Sequence, residues 1–174
     1  MSTATLRATA VTRALNAIGR AMPDRVRSVT VEVSQQRAFE VFTAKFGSWW
    51  PREYSIGEAD MADFVVEPKV GGRWYEVGVD GNECDTGRVT EFEPPKRLVL
   101  AWQLNENWQY DPDPAHASEV EVRFVAESPS RTRVELEHRG FERHGGGADA
   151  VRSGVEHPQG WTYCLELFAK QAAA

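Results

Sequence analysis

Between Phe64 and His138 apolar and polar residues change places at every second position, and the turn signals between these runs are short. A period of two is that of a strand with opposite faces, so each run reads as a strand with one face buried. Phe64–Val66 is followed by a turn at Val70-Gly71-Gly72 and a strand over Arg73–Val77. Asp80-Gly81 is a strong hairpin signal before the next strand, Gly87–Phe92. Pro94-Pro95 breaks the chain ahead of Arg97–Trp102. Two further strands carry Val120, Val122 and Phe124, then Val134, Leu136 and His138. Strands in immediate succession with short turns predict an antiparallel meander rather than a parallel sheet.

The flanks of this region read differently. Arg27–Val33 alternates Val29, Val31 and Val33 with polar residues and predicts a first strand. Ser34 is a helix N-cap candidate, and Ala38, Phe39, Val41, Phe42 and Phe46 form an apolar helical face that Gly47 is expected to end. Trp49-Trp50-Pro51 opens an irregular stretch, and a polar loop spans Asn105–Ala117. The tail after Gly145 is expected to be helical, kinked or divided by Pro158 and Gly160, with Trp161, Cys164 or Leu165, and Phe168 on one face.

At 174 residues the chain has room for one sizeable core. Residues 1–24 stand apart from it. Arg7, Arg13 and Arg20 precede the first acidic residue, Asp24, a composition that resembles a transit peptide. Leu6, Val11, Leu15, Ile18 and Met22 also fall near one helical face, and the preferred reading is an amphipathic helical extension to a domain over 25–174. Such a helix could close a cavity or swap between protomers, so a homodimer is one expectation.

The net charge of −6 argues against a nucleic-acid partner, which calls for a basic face. No apolar run approaches the roughly 20 residues that span a bilayer. Cys84 and Cys164 form no Cys-x-x-Cys pair, so sparse cysteine usage suits a reducing, cytoplasmic setting.

Several blocks together resemble a known superfamily. The segment Glu67–Glu76, EPKVGGRWYE, is similar to the strand-turn-strand segment of the START/Bet v 1-like (SRPBCC) proteins, in the branch of the activator-of-Hsp90-ATPase C-terminal domain. Ala38–Phe42, Gly87–Leu98, Leu100–Trp102, Thr132–His138 and Gly160-Trp161 follow in that family's order and extend the resemblance over about residues 27–170. It implies an α+β helix-grip fold: a curved seven-stranded antiparallel sheet wrapped around a long C-terminal helix, with two short helices after the first strand. Residues 1–24, the loop 105–117 and the stretch 142–160 depart from the family pattern. The superfamily hosts lipid carriers, polyketide cyclases and co-chaperone domains, so the resemblance leaves function open.

A curved sheet cannot lie flush on one helix along its whole length, so a hollow is expected at one end. Six tryptophans are available to fill core or line it: Trp49, Trp50, Trp74, Trp102, Trp108 and Trp161. Trp50 and Trp108, on irregular segments, are the better wall or rim candidates, while Trp102 and Trp161 serve equally as core. His138 shares the parity of Val134 and Leu136 and points toward the helix, either as a ligand contact or as a satisfied structural histidine. If Trp74 points inward so does Glu76, needing a partner such as Arg88 or an N–H; the opposite register buries Arg73, Tyr75 and Val77. Tyr75 and Tyr163 are candidates to orient a ligand. His116, His144 and His157 show neither an i, i+4 pair nor a Cys-x-x-Cys companion, so no metal is expected. No Ser-His-Asp order, nucleophile elbow or phosphate-binding loop is present, so neither a catalytic residue nor a cofactor is assigned.

The leading expectation is binding of a small hydrophobic or aromatic molecule in an internal cavity, with no catalysis or only weak catalysis. A co-chaperone-like interaction module, with a chaperone partner, is the second. An aromatase/cyclase-type or hydrolase enzyme is the third, with His138 and an inward Glu76 as its sole candidate pair.

Overall fold

The computed structural model describes residues 26–174, so the N-terminal helix expected over 1–24 lies outside the described residues. Seven strands form one antiparallel sheet: β1 (Val26–Val31), β2 (Met61–Val66), β3 (Arg73–Gly78), β4 (Glu83–Glu93), β5 (Arg97–Trp102), β6 (Ser118–Ser128) and β7 (Arg131–Arg139). The spatial order is β1-β7-β6-β5-β4-β3-β2. β2 to β7 are thus a meander, and β1 closes onto its last strand, with Val29 opposite Val134. Register shifts at Met61/Asp63, Trp74/Tyr75, Val89/Glu91 and Ala126/Ser128 add local twist and curl the sheet.

The alternation seen in the sequence becomes an inner apolar face and an outer charged one. Val120, Val122, Phe124, Val134 and Leu136 are buried inside. On the outside Arg97, Arg123 and Arg139 surround Glu121, and these partners hold its carboxyl well below the usual range, at about 2, against the opposing cost of burial.

Helix α1 (Gln35–Phe42) begins where expected: Ser34 Oγ accepts the backbone N–H of Arg37 at 3.2 Å. It ends earlier than expected, at Phe42 rather than Gly47, and Phe46 sits in a following 3₁₀ turn over Phe46–Ser48. A second 3₁₀ turn spans Arg52–Tyr54, so the two short helices implied after the first strand are one α-helix and two single turns.

The C-terminal segment is broken into two helices rather than one long one. Helix α2 (Ala148–Glu156) and helix α3 (Tyr163–Ala173) are joined by a wide turn over Pro158–Thr162. Pro158 supplies no N–H, and Gly160 adopts a non-helical ψ of −128°. A Cβ at Gly160 would stand 2.2 Å from the carbonyl oxygen of Val155, so the two helices meet here more closely than a side chain permits. Helix α3 lies on β1 and α1, burying Cys164, Leu165, Phe168 and Ala172. None of the described helices is long and apolar enough to cross a membrane.

Gly160→Ala is expected to cost about 1–3 kcal/mol through overpacking at the helix joint, seen as a lowered unfolding midpoint. An unchanged midpoint would mean that the joint relaxes freely.

Candidate functional site

Where the helical segment breaks, the concave face beyond β5 is left without a helix over it. A cavity of about 840 Å³ opens there, walled by the 50–56 segment, the end of β5 with its following hairpin, and the α2–α3 joint. That volume falls within the ~300–1,000 Å³ of small-molecule sites.

Four indoles stand in its wall: Trp50, Trp102, Trp108 and Trp161. Each is placed by a different element. Trp50 follows the 3₁₀ turn, stacked on Phe46 at 5.1 Å and edge-on to Trp161 at 5.7 Å. Trp102 ends β5 and spends its N–H on the Leu104 carbonyl at 3.2 Å. Trp161 lies in the helix joint and donates its N–H to His138 Nδ1 at 3.1 Å. Trp108 sits on the hairpin tied by the Leu104–Tyr110 bridge, and is 45% exposed. Trp102 and Trp161, 4% exposed each, are core and cavity wall together.

The polar groups of the wall are positioned as firmly. Tyr54 donates its hydroxyl to the Gln159 carbonyl at 2.5 Å, and Tyr163 donates to Glu53 at 3.0 Å, stitching the 52–56 segment to the helix joint. Burial, with Cys164 and Glu53 nearby, raises the Tyr54 phenol, which stays a neutral donor. Burial also pushes the Cys164 thiol up to about 12, with Glu53 adding to it, so this cavity-lining sulfur is a poor nucleophile at neutral pH. His157 lines the cavity and caps the joint, its Nδ1 accepting from Gln159 N at 3.1 Å.

The other candidates stand elsewhere. The register left open by the sequence is decided with Trp74 and Glu76 inside, 0% and 2% exposed. Trp74 is core, packed on Phe46, Phe64 and Trp102 at 5.8–5.9 Å, and does not line the cavity. Glu76 is not held by Arg88, which pairs with Asp85 on the outer face. Its Oε1 instead accepts from Ser55 Oγ, Ile56 N and Gly57 N at 3.0, 2.9 and 2.5 Å. Ser55 and Ile56 line the cavity, so Glu76 holds the wall rather than forming it.

Tyr75 alternates to the outside and lies beneath the Arg73 guanidinium at 4.0 Å. Tyr163 precedes the buried Cys164 on α3 and points outward to Glu53. His138 is one layer behind the wall. It is buried between Trp102 and Phe141, at 5.2 and 4.5 Å, and its Nε2 is 2.8 Å from Ser118 Oγ. It meets no carboxylate: Glu76 is committed to the 55–57 backbone, so the proposed acid–base pair is not assembled.

The indole N–H of Trp161 can only donate, so His138 Nδ1 is the acceptor and the ring proton belongs on Nε2. His138 Nε2–H then donates to Ser118 Oγ, which is also hydrogen-bonded with His144 Nε2 at 2.7 Å. Burial, reinforced by His144, holds His138 down at about 3, so it is a neutral structural histidine.

Tyr54, Ile56, Leu104, Val155 and Gln159 were not singled out by sequence reasoning, although all line the cavity. Their signal was indirect: Tyr54 and Ile56 follow the irregular Trp49-Trp50-Pro51 stretch, and Gln159 sits between the two helix breakers. Among the described residues no group of three or more His, Cys, Asp or Glu is arranged to hold a metal ion.

Residues 32–173 match the model of the family described as Activator of Hsp90 ATPase homolog 1-like protein. No curated protein matches the chain. Among solved structures it is similar to an anthrahydroquino-Gama-pyrone synthase, Txn09, complexed with SUM. That likeness has 40% identity and a TM-score of 0.60, covering 86% of this chain and 99% of that one. The self-sacrificing resistance protein CalC from Micromonospora echinospora is 36% identical with a TM-score of 0.63, over 84% of this chain and 92% of that one. The Aha1 dimer from Colwellia psychrerythraea shares the fold at 14% identity and a TM-score of 0.55, over 85% and 94%.

Two measurements follow from this geometry. Trp161→Ala is expected to cost about 3–5 kcal/mol as a core truncation that also strands His138 Nδ1, read from chemical denaturation. An unfolded His titrates near 6.5 and folded His138 near 3, so its contribution is complete above pH 6.5 and is lost as pH falls toward 3. His138→Gln, which keeps an acceptor for the indole, should flatten the fall in unfolding midpoint between pH 7 and pH 5 (about one unfolded-state titration range). An identical slope in the variant would contradict a neutral His138.

Proposed function

The chain belongs to the activator-of-Hsp90-ATPase-homolog-1-like family, and from that premise we propose that it binds a small, mainly apolar aromatic molecule between sheet and helix joint. The observation that carries this reading is the set of four indoles, Trp50, Trp102, Trp108 and Trp161, around one cavity of about 840 Å³. Apolar ligand area removed from water supplies affinity at about 25 cal/mol per Å². Aromatic rings add edge and face complementarity to indole walls. Tyr54, Asn107, Gln109 and His157, on the same wall, supply a few directional polar groups.

A cyclase-type enzyme is the second reading. It is favoured by the 40% identity to a structure described as a synthase, with 99% of that chain matched. A co-chaperone role draws less support. The Aha1 likeness is one of fold, and the large apolar side chains exposed among the described residues, Val70, Val79 and Trp108, sit on three separate turns.

Titration with 1-hydroxyanthraquinone should quench the intrinsic tryptophan fluorescence saturably and raise the unfolding midpoint. A probe at 100 times its Kd adds about 2.7 kcal/mol. Trp50→Ala should weaken the probe by tenfold or more, or about 1.4 kcal/mol. Absence of both quenching and stabilisation across neutral planar aromatics would sink the proposal. A change in the mass or absorption spectrum of the bound compound during incubation would favour the synthase-type reading.

A further inference from the structure

The residue at the cavity mouth has a backbone that its side chain disfavours. Trp108 has φ +59°, the left-handed region, and is the one described non-glycine residue there. In that region a Cβ crowds the following carbonyl, so glycine or asparagine is the usual occupant. The surrounding turn imposes the conformation. Trp108 N donates to the Asn105 carbonyl at 3.0 Å, and Asn105 N donates to the Gln109 carbonyl at 2.9 Å. The Asn105 side-chain oxygen accepts from Asn107 N and Gln109 N at 2.9 and 3.0 Å.

The opposite bank of the mouth is shaped to receive this hairpin. A Cβ on Gly154 would lie 2.9 and 3.0 Å from the far ring carbons of Trp108, so the indole lies against bare backbone of α2. Gly147, immediately before α2, leaves room for the Glu106 carboxylate in the same way. Inward, the Trp108 ring meets Trp102 edge-on at 6.2 Å. The indole therefore reaches from the hairpin to α2 at the rim of the cavity, while remaining 45% exposed.

We propose that Trp108 is a lid: its indole, seated on Gly154, narrows the mouth of the aromatic cavity and must lift for a planar ligand to enter or leave. This rests on the binding reading above and adds to it the residue that governs exchange. The strained backbone keeps the closed state from being too deep to open, because leaving the left-handed region relieves the crowding at Cβ. Loops of this kind gate access on slow, measurable timescales.

The test is stopped-flow tryptophan fluorescence with 1-hydroxyanthraquinone on the full chain, in wild type, Trp108→Ala, Trp108→Gly and Gly154→Ala. Both Trp108 variants should release the probe at least tenfold faster than wild type. Gly154→Ala keeps the indole but fills its seat, and should also speed release. Trp108→Gly should melt about 2–5 °C above Trp108→Ala, since both lose the ring and only glycine is at ease at this φ. Equal release rates in wild type, Trp108→Gly and Gly154→Ala would overturn the lid. A wild type that takes up no probe would overturn the binding reading instead. The lid is then judged without probe: Gly154→Ala should increase acrylamide quenching of the cavity tryptophans, and unchanged quenching would reject it.

Discussion

A curled sheet offers more concave apolar surface than a helix interrupted at Pro158 and Gly160 can cover, and the rest of the architecture answers to that mismatch. Helix α3 covers the β1 side, where Phe168 meets Phe42 of α1. Beyond β5 the surface is covered by side chains and loops, and the largest side chains available are indoles. An indole fills space well but brings an N–H that usually takes a partner when buried. Trp102 uses a carbonyl two residues on, whereas Trp161 uses an imidazole from β7.

The Trp161–His138 hydrogen bond shows how the layer behind a cavity sets the layer in front. A histidine among Trp102, Phe141 and Trp161 is desolvated, and desolvation penalises its charged form. Kept neutral, it presents a lone pair to the indole and its proton to Ser118. The donor-only indole at one end assigns the His138 tautomer and so the direction of the bond to Ser118. Trp161 is left to present its ring to the cavity. Glu76 does the same work on the opposite wall, where one carboxylate oxygen gathers three donors from Ser55 to Gly57. Both residues had suggested chemistry in the sequence. In the fold the imidazole of His138 and one carboxylate oxygen of Glu76 are bonded to protein groups behind the wall.

The strands were legible because burial of one face writes a period of two directly into the chain. Arg97–Trp102 was found residue for residue, and Ser34 was recognisable as a cap because an oxygen there answers an otherwise unpaired N–H. The break at Pro158 and Gly160 was legible for a similarly local reason. The end of α1 was not, because Phe46 continues the apolar period although Thr43 already bonds back to Phe39 and the chain tightens into a 3₁₀ turn.

Local chemistry in the sequence determined the strand succession, the caps and the breaks, and the ordered motifs placed the chain in its fold. It did not determine which tryptophans share a wall. Trp50, Trp102, Trp108 and Trp161 lie up to 111 residues apart, as their numbers show (161 − 50), and meet only when the meander curls and the helix joint folds over it. Nor could alternation alone choose between Trp74 and Tyr75 as the inward residue, since either parity offered an aromatic ring. That choice fell to the tertiary structure, which had a donor-lined seat for the Glu76 carboxylate inside and an arginine for Tyr75 outside.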